Sequence, residues 1–162
     1  MISISKSIII NANQSIVWSF ISDIPRLLLV NRFRKEINIP SGYNLNEEKK
    51  FVTTNNFGFG NVEMNAQVIM SKAPISLSFK EWSDDKKKVS YQHETSYSII
   101  QEDNYSYLII KEEGTFGTKV QDISFKPIIS GIIQDELYRI KKYIESAEIS
   151  SNPNSKKGLS PI

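Results

Sequence analysis

The sequence predicts an α+β protein, with seven antiparallel strands curled around one long C-terminal helix and two short helices near the N-terminus. Three observations carry this reading. Apolar and polar residues alternate with period two in segment after segment of the first two thirds of the chain. Turn-forming residues punctuate these segments at hairpin intervals. The periodicity then changes, and apolar residues recur at spacings of three and four near the C-terminal end.

The first element is a strand in which Ile2, Ile4, Ile8 and Ile10 share one face. It turns at "NAN", residues 11–13, and about two helical turns follow through "SIVWSFIS". These stop at "DIP", residues 23–25, before a second short apolar helix. "RFRKEINI" and "KKFVTTNNF" read as the next two strands. In "NVEMNAQVIM", Val62, Met64, Ala66, Val68 and Met70 oppose Asn61, Glu63, Asn65 and Gln67. "ISLSF" sets Ile75, Leu77 and Phe79 against Ser76 and Ser78. "VSYQHETSYSII" places Val89, Tyr91, His93, Thr95, Tyr97 and Ile99 on one face and polar residues on the other, a long half-buried strand. "YSYLIIKEE" completes the seven. The turns fall at "PSG", "FGFG", "AP", "SDD" and "EDN".

In "FKPIISGIIQDELYRIKKYIES", residues 125–146, the apolar stripe is Ile129, Ile132, Ile133, Leu137, Ile140 and Ile144. Pro127 is expected in the first turn. Gly131 lies within the stripe region, where it weakens a helix by about 1 kcal/mol relative to alanine. It reads first as a tolerated accident of composition or a late helix start, and alternatively as a close approach of another group to the helix backbone. Residues 1–146 are expected to form the folded domain. Residues 147–162 are rich in Ser, Asn and Pro, and the composition predicts a disordered tail.

One amphipathic helix about 10 Å across is too narrow to cover seven twisted strands. The sheet must therefore curl, and the two short helices, with Trp18, Phe20 and Ile21, can plug one end. A cavity between sheet and helix is the expected result, and such a cavity is the place to seek a ligand site.

Composition narrows the function. The chain has 162 residues, 40% of them apolar, enough for one domain with a real core. A net charge of +2 does not call for nucleic acid, and no run of exposed aromatics is expected among Arg32, Arg34 and Lys35. The absence of cysteine excludes disulfides and thiolate metal sites. The single histidine leaves only carboxylates as further ligands, so no metal and no cofactor are expected. No window reaches ~18 apolar residues, and a soluble, cytoplasmic protein without a transmembrane segment is expected.

The candidate site is the inner face of the sheet and helix. Tyr91, His93 and Tyr97 would supply the polar tips, and Met64, Val68, Leu77, Phe79, Ile129 and Ile133 the apolar wall. This set suits a small hydrophobic or amphipathic ligand better than a catalytic centre. There are no paired carboxylates at readable spacing and no nucleophile elbow.

The stretch "ISKSIIINANQSIVWSFISDIPRLL", with Ala12, Val17, Trp18 and Asp23, resembles the entry pattern of the START/SRPBCC superfamily. That superfamily has the helix-grip fold and includes birch-pollen-allergen-like and polyketide-cyclase-like proteins. "VIMSKAPISLSF" and the final helix are similar to it as well. Asn13 stands where many members have proline, and Val30 and Asn31 where many have tryptophan. "FGFGNVEMNAQVIMSKAPISLSF" and "GTFGTK" look somewhat like the superfamily branch of accessory proteins that accompany carbon monoxide dehydrogenase. The resemblance implies a lipid, quinone or polyketide-like ligand. Two alternatives remain open. One is a cyclase or dehydratase-type enzyme using His93 or Glu81. The other is a protein-interaction module accessory to a redox enzyme.

Overall fold

The computed structural model describes residues 1–41, 43–45, 50–56, 60–84 and 90–151, the side chains of 148–151 excepted. Val89, residues 57–59 of "FGFG", residues 46–49 and 85–88, and residues 152–162 lie outside this set. The elements run β1 (Ile2–Ile10), α1 (Gln14–Ile21), α2 (Ile24–Leu29), β2 (Arg34–Asn38), β3 (Lys50–Asn56), β4 (Asn61–Lys72), β5 (Ser76–Trp82), β6 (Gln92–Glu102), β7 (Tyr105–Thr115) and α3 (Lys119–Ser151). All seven strands form one antiparallel sheet in the order β1-β7-β6-β5-β4-β3-β2. It is open, with β1 and β2 at its edges. The expected α+β architecture of sheet, long helix and two short helices is the observed one.

Local chemistry sets the N-terminal junction. Asn13 caps α1, its side-chain oxygen accepting from the Ile16 amide at 3.0 Å. Asp23 caps α2 by accepting from the Arg26 amide at 3.3 Å, and Pro25 occupies the first turn, where no amide is needed. Phe20 and Ile21 are buried and Trp18 is half-buried, so α1 packs on the core as the apolar spacing predicts.

The long helix departs from the sequence reading. It begins at Lys119 rather than near Pro127, and it continues through Ser151. Its 33 residues span about 50 Å. The early start has a local cause. Asp122 accepts from the Phe116 amide at 2.8 Å and from the Thr115 hydroxyl, while the Thr118 hydroxyl accepts from the Gln121 amide at 3.2 Å. The Thr118 contact satisfies an amide of the first turn, and the Asp122 contacts tie that turn to the end of β7. Pro127 therefore lies inside the helix. Further along, Lys141 donates to the Ile9 carbonyl at 2.7 Å, and Glu145 accepts from the Asn11 amide at 2.8 Å, tying α3 to the end of β1. Ile129, Ile133, Leu137, Ile140 and Ile144 are buried against the sheet and α1.

Two strands also depart from strict alternation. The register of β4 against β5 shifts between Val68 and Met70, so Val68 points inward while Met70 is exposed. Ile75 lies in the turn before β5 and is exposed. Among the described residues no helix is long and apolar enough to cross a membrane.

Candidate functional site

The register of the sheet builds a charged cluster inside an apolar core. Gly114 of β7 lies opposite His93 of β6, and His93 lies opposite Glu81 of β5. Glu81 continues the inward face of Leu77 and Phe79, so its carboxylate points into the interior. From β3, the Thr53 hydroxyl donates to Glu81 Oε1 at 2.6 Å. From the start of β2, Arg34 Nη2 pairs with Glu81 Oε2, and Nη1 donates to the Leu28 carbonyl at 3.2 Å. His93 Nε2 lies 3.1 Å from the same Oε2. Arg34, Thr53 and Glu81 are all buried, and the His93 side chain is only 10% exposed.

The protonation state of His93 follows from its partners. Nδ1 is 2.9 Å from the Tyr91 carbonyl, and Nε2 faces the Glu81 carboxylate. Both partners only accept, so both ring nitrogens carry protons. Burial opposes this charge, but Glu112 and the hydrogen bond to Glu81 overcome it and raise the pKa to about 9. Burial likewise opposes ionisation of Glu81. Arg34, His93 and Thr53 nevertheless hold it well below the usual carboxylate range. Arg34 is raised, with Glu81 and then Glu136 outweighing the desolvation.

A second polar pair faces this one from the helix. Glu136 is buried and accepts a hydrogen bond from the Tyr97 hydroxyl. Burial pushes the Glu136 pKa up to about 7, against the lowering effects of Tyr97 and Arg34. The Tyr91 ring stacks on the His93 imidazolium at 4.6 Å and on Phe116 at 4.7 Å, and Phe116 stacks on Phe125 at 4.4 Å. Burial, and then Glu112, push the Tyr91 hydroxyl pKa up, so this group stays protonated. Arg34 Nε is a buried donor with no hydrogen-bond partner.

A pocket of about 290 Å³ lies between α3 and the turn before β2, lined by Asn31, Arg32, Phe33, Ile128, Gly131, Ile132 and Asp135. Two of its lining residues directly precede cluster residues in sequence, Phe33 before Arg34 and Asp135 before Glu136. Glu136 stands roughly 40° around the helix from Ile132, one turn on. Nothing stands within 4 Å of where a Gly131 side chain would begin. Across the pocket, Arg32 pairs with Asp135 at 3.2 Å, and Asp135 also accepts from Arg139 at 2.8 Å.

Of the nine residues expected from the sequence to line a site, Tyr91 and His93 belong to the charged cluster and Tyr97 to the Glu136 pair. Met64, Val68, Leu77, Phe79, Ile129 and Ile133 are buried in the surrounding core, where Phe79 stacks on Tyr97 at 5.8 Å. None of the nine lines the 290 Å³ pocket. Sequence reasoning does not single out Arg34, Thr53 or Glu136 as site residues. Glu136 carries a readable signal: a carboxylate three residues after Ile133 and four before Ile140, on the apolar stripe itself.

No protein-family model matches the chain, and no curated protein is similar enough in sequence to match it. Solved structures match it in shape. A START superfamily protein from Mycobacterium smegmatis superposes with a TM-score of 0.72 at 14% identity, covering 90% of this chain and 98% of that one. A conserved protein from Geobacillus kaustophilus gives 0.71 at 17% identity, covering 90% and 97%. A hypothetical protein from Helicobacter pylori gives 0.70 at 15% identity, covering 87% and 86%. The protein has the helix-grip fold of the START/SRPBCC superfamily. At these identities the likeness is one of fold.

Proposed function

We propose that this protein binds a small amphipathic ligand. The apolar body lies in the pocket between α3 and the Asn31–Phe33 turn, and the polar end reaches the Arg34–Glu81–His93–Glu136 cluster. The observation that carries this reading is the cluster itself. These four ionisable groups stand inside a core built mostly of apolar side chains, and Arg34 Nε among them is an unpartnered donor. Burying charge is costly and weak as a source of stability, so such a network in a helix-grip interior points to a ligand. The pocket volume is at the lower end of the range for small-molecule sites.

The test is titration with a fluorescent lipophile, followed by native mass spectrometry of the complex. Saturable one-to-one binding is expected. Gly131→Trp should fill the pocket mouth and weaken binding about tenfold or more, a change of ~1.4 kcal/mol. Ser96→Ala, on the outer face where Ser96 meets Ser78, should leave binding unchanged. Equal losses in both variants, or no binding across a broad panel of lipophiles, would overturn the reading in favour of an interaction module. One observation favours a second reading. A buried carboxylate with a pKa near 7 beside a tyrosine hydroxyl is suited to general acid–base work of the cyclase or dehydratase kind. Ligand recovered with unchanged mass after long incubation supports binding, and a mass change of one water supports the enzyme.

A further inference from the structure

We infer that the ligand's polar end is a neutral carbonyl oxygen, of a ketone, ester or amide, which accepts a hydrogen bond from Arg34 Nε–H, and not a carboxylate. The inference rests on the ligand-binding reading above and names the chemistry of that site.

Two features decide it. The first is hydrogen-bond valence. Arg34 uses Nη1 on the Leu28 carbonyl and Nη2 on Glu81, which leaves Nε–H buried without an acceptor. Buried polar groups are almost always satisfied, and a guanidinium N–H can only donate. The missing group is therefore an acceptor. The second feature is charge. Arg34 and His93, the two cations on Glu81, are already matched by Glu81 and Glu112, and Glu136 adds a third carboxyl group beside them. A ligand carboxylate would add a further negative charge in a poorly solvated interior, where like charges repel strongly. A carbonyl supplies the same lone pair without that charge.

The experiment compares a long-chain methyl ketone with the fatty acid and the alkane of the same carbon count, at a pH where the acid is ionised. The ketone is labelled with carbon-13 at its carbonyl for infrared spectroscopy. The ketone should bind about tenfold or more tighter than either comparator. Its carbonyl stretch should fall below its value in alkane solvent, as it does on accepting a strong hydrogen bond. In Arg34→Lys, which keeps the charge but removes Nε, the stretch should return toward the solvent value and the ketone's advantage over the alkane should shrink. If that variant does not fold, the wild-type selectivity and frequency decide alone. A fatty acid that binds as tightly as the ketone overturns the inference while leaving the binding reading intact. Selective ketone binding with an unshifted stretch overturns Arg34 as the anchor. Binding of none of the three overturns both.

Discussion

Glu136 shows how one residue can make stability depend on pH. Its folded pKa of about 7 lies above the ordinary carboxylate value of 4.5. A carboxyl group with a raised folded pKa favours the fold below its unfolded pKa, and that contribution is lost as pH rises through the folded value. Wild-type stability attributable to Glu136 should therefore fall between about pH 4.5 and pH 7. Glu136→Gln keeps a group that can accept from Tyr97 but cannot ionise. Denaturant melts at a series of pH values should show the variant gaining on wild type as pH rises through this window; parallel curves would remove Glu136 from the account. The site was only partly legible at this scale. His93 and Glu81 stood out as titratable groups on inward-facing strand positions. Arg34 gave no such signal, because the register of β2 against β3 shifts between Arg34 and Glu36 and breaks the alternation that would place it.

At the scale of elements, β6 and β7 depend on a glycine for close approach. A Cβ at Gly114 would lie 2.6 Å from the Gln92 carbonyl oxygen and from His93 Cβ, and 2.7 Å from the Tyr91 ring. Two of those neighbours belong to the sheet's own frame and cannot swing aside. Gly114→Ala should cost about 1–3 kcal/mol, the usual range for overpacking. It should also weaken the near-ultraviolet circular dichroism of the Tyr91–Phe116–Phe125 stack. Gly131→Ala, with open space around it, provides the contrast and should be neutral or stabilising by up to about 1 kcal/mol. Equal melting temperatures for the two variants would refute the crowding at Gly114. Element type was readable because periodicity reports which face is buried. Element ends were less so. The start of α3 depends on Asp122 meeting the Thr115 hydroxyl at the end of β7 and the Phe116 amide just after it, and the exposure of Met70 depends on a register shift against β5. Both are contacts between segments, which local spacing does not encode.

Across the whole molecule, the Arg34–Glu81 pair joins β2 to β5, two strands that are not neighbours in the sheet. Removing one member of a buried ion pair strands the other charge, so Arg34→Met should lower stability by about 3–5 kcal/mol. Combining it with Glu81→Leu should cost clearly less than the two single changes added together, as measured by urea unfolding; strict additivity would mean that the pair is not coupled. The element types, their order, the inward row of apolar side chains, and the need for a sheet to curl around a helix too narrow to cover it can all be read from the chain alone. All of these follow from local periodicity and from the mismatch between strand number and helix width. The meeting of Arg34, Thr53, Glu81, His93, Tyr97 and Glu136, by contrast, emerges only on folding. Their contacts span up to 47 residues of chain within the Glu81 group and 39 between Tyr97 and Glu136. Such encounters depend on strand order and pairing register, which place Gly114, His93 and Glu81 side by side across three strands and aim Glu136 at them from the helix.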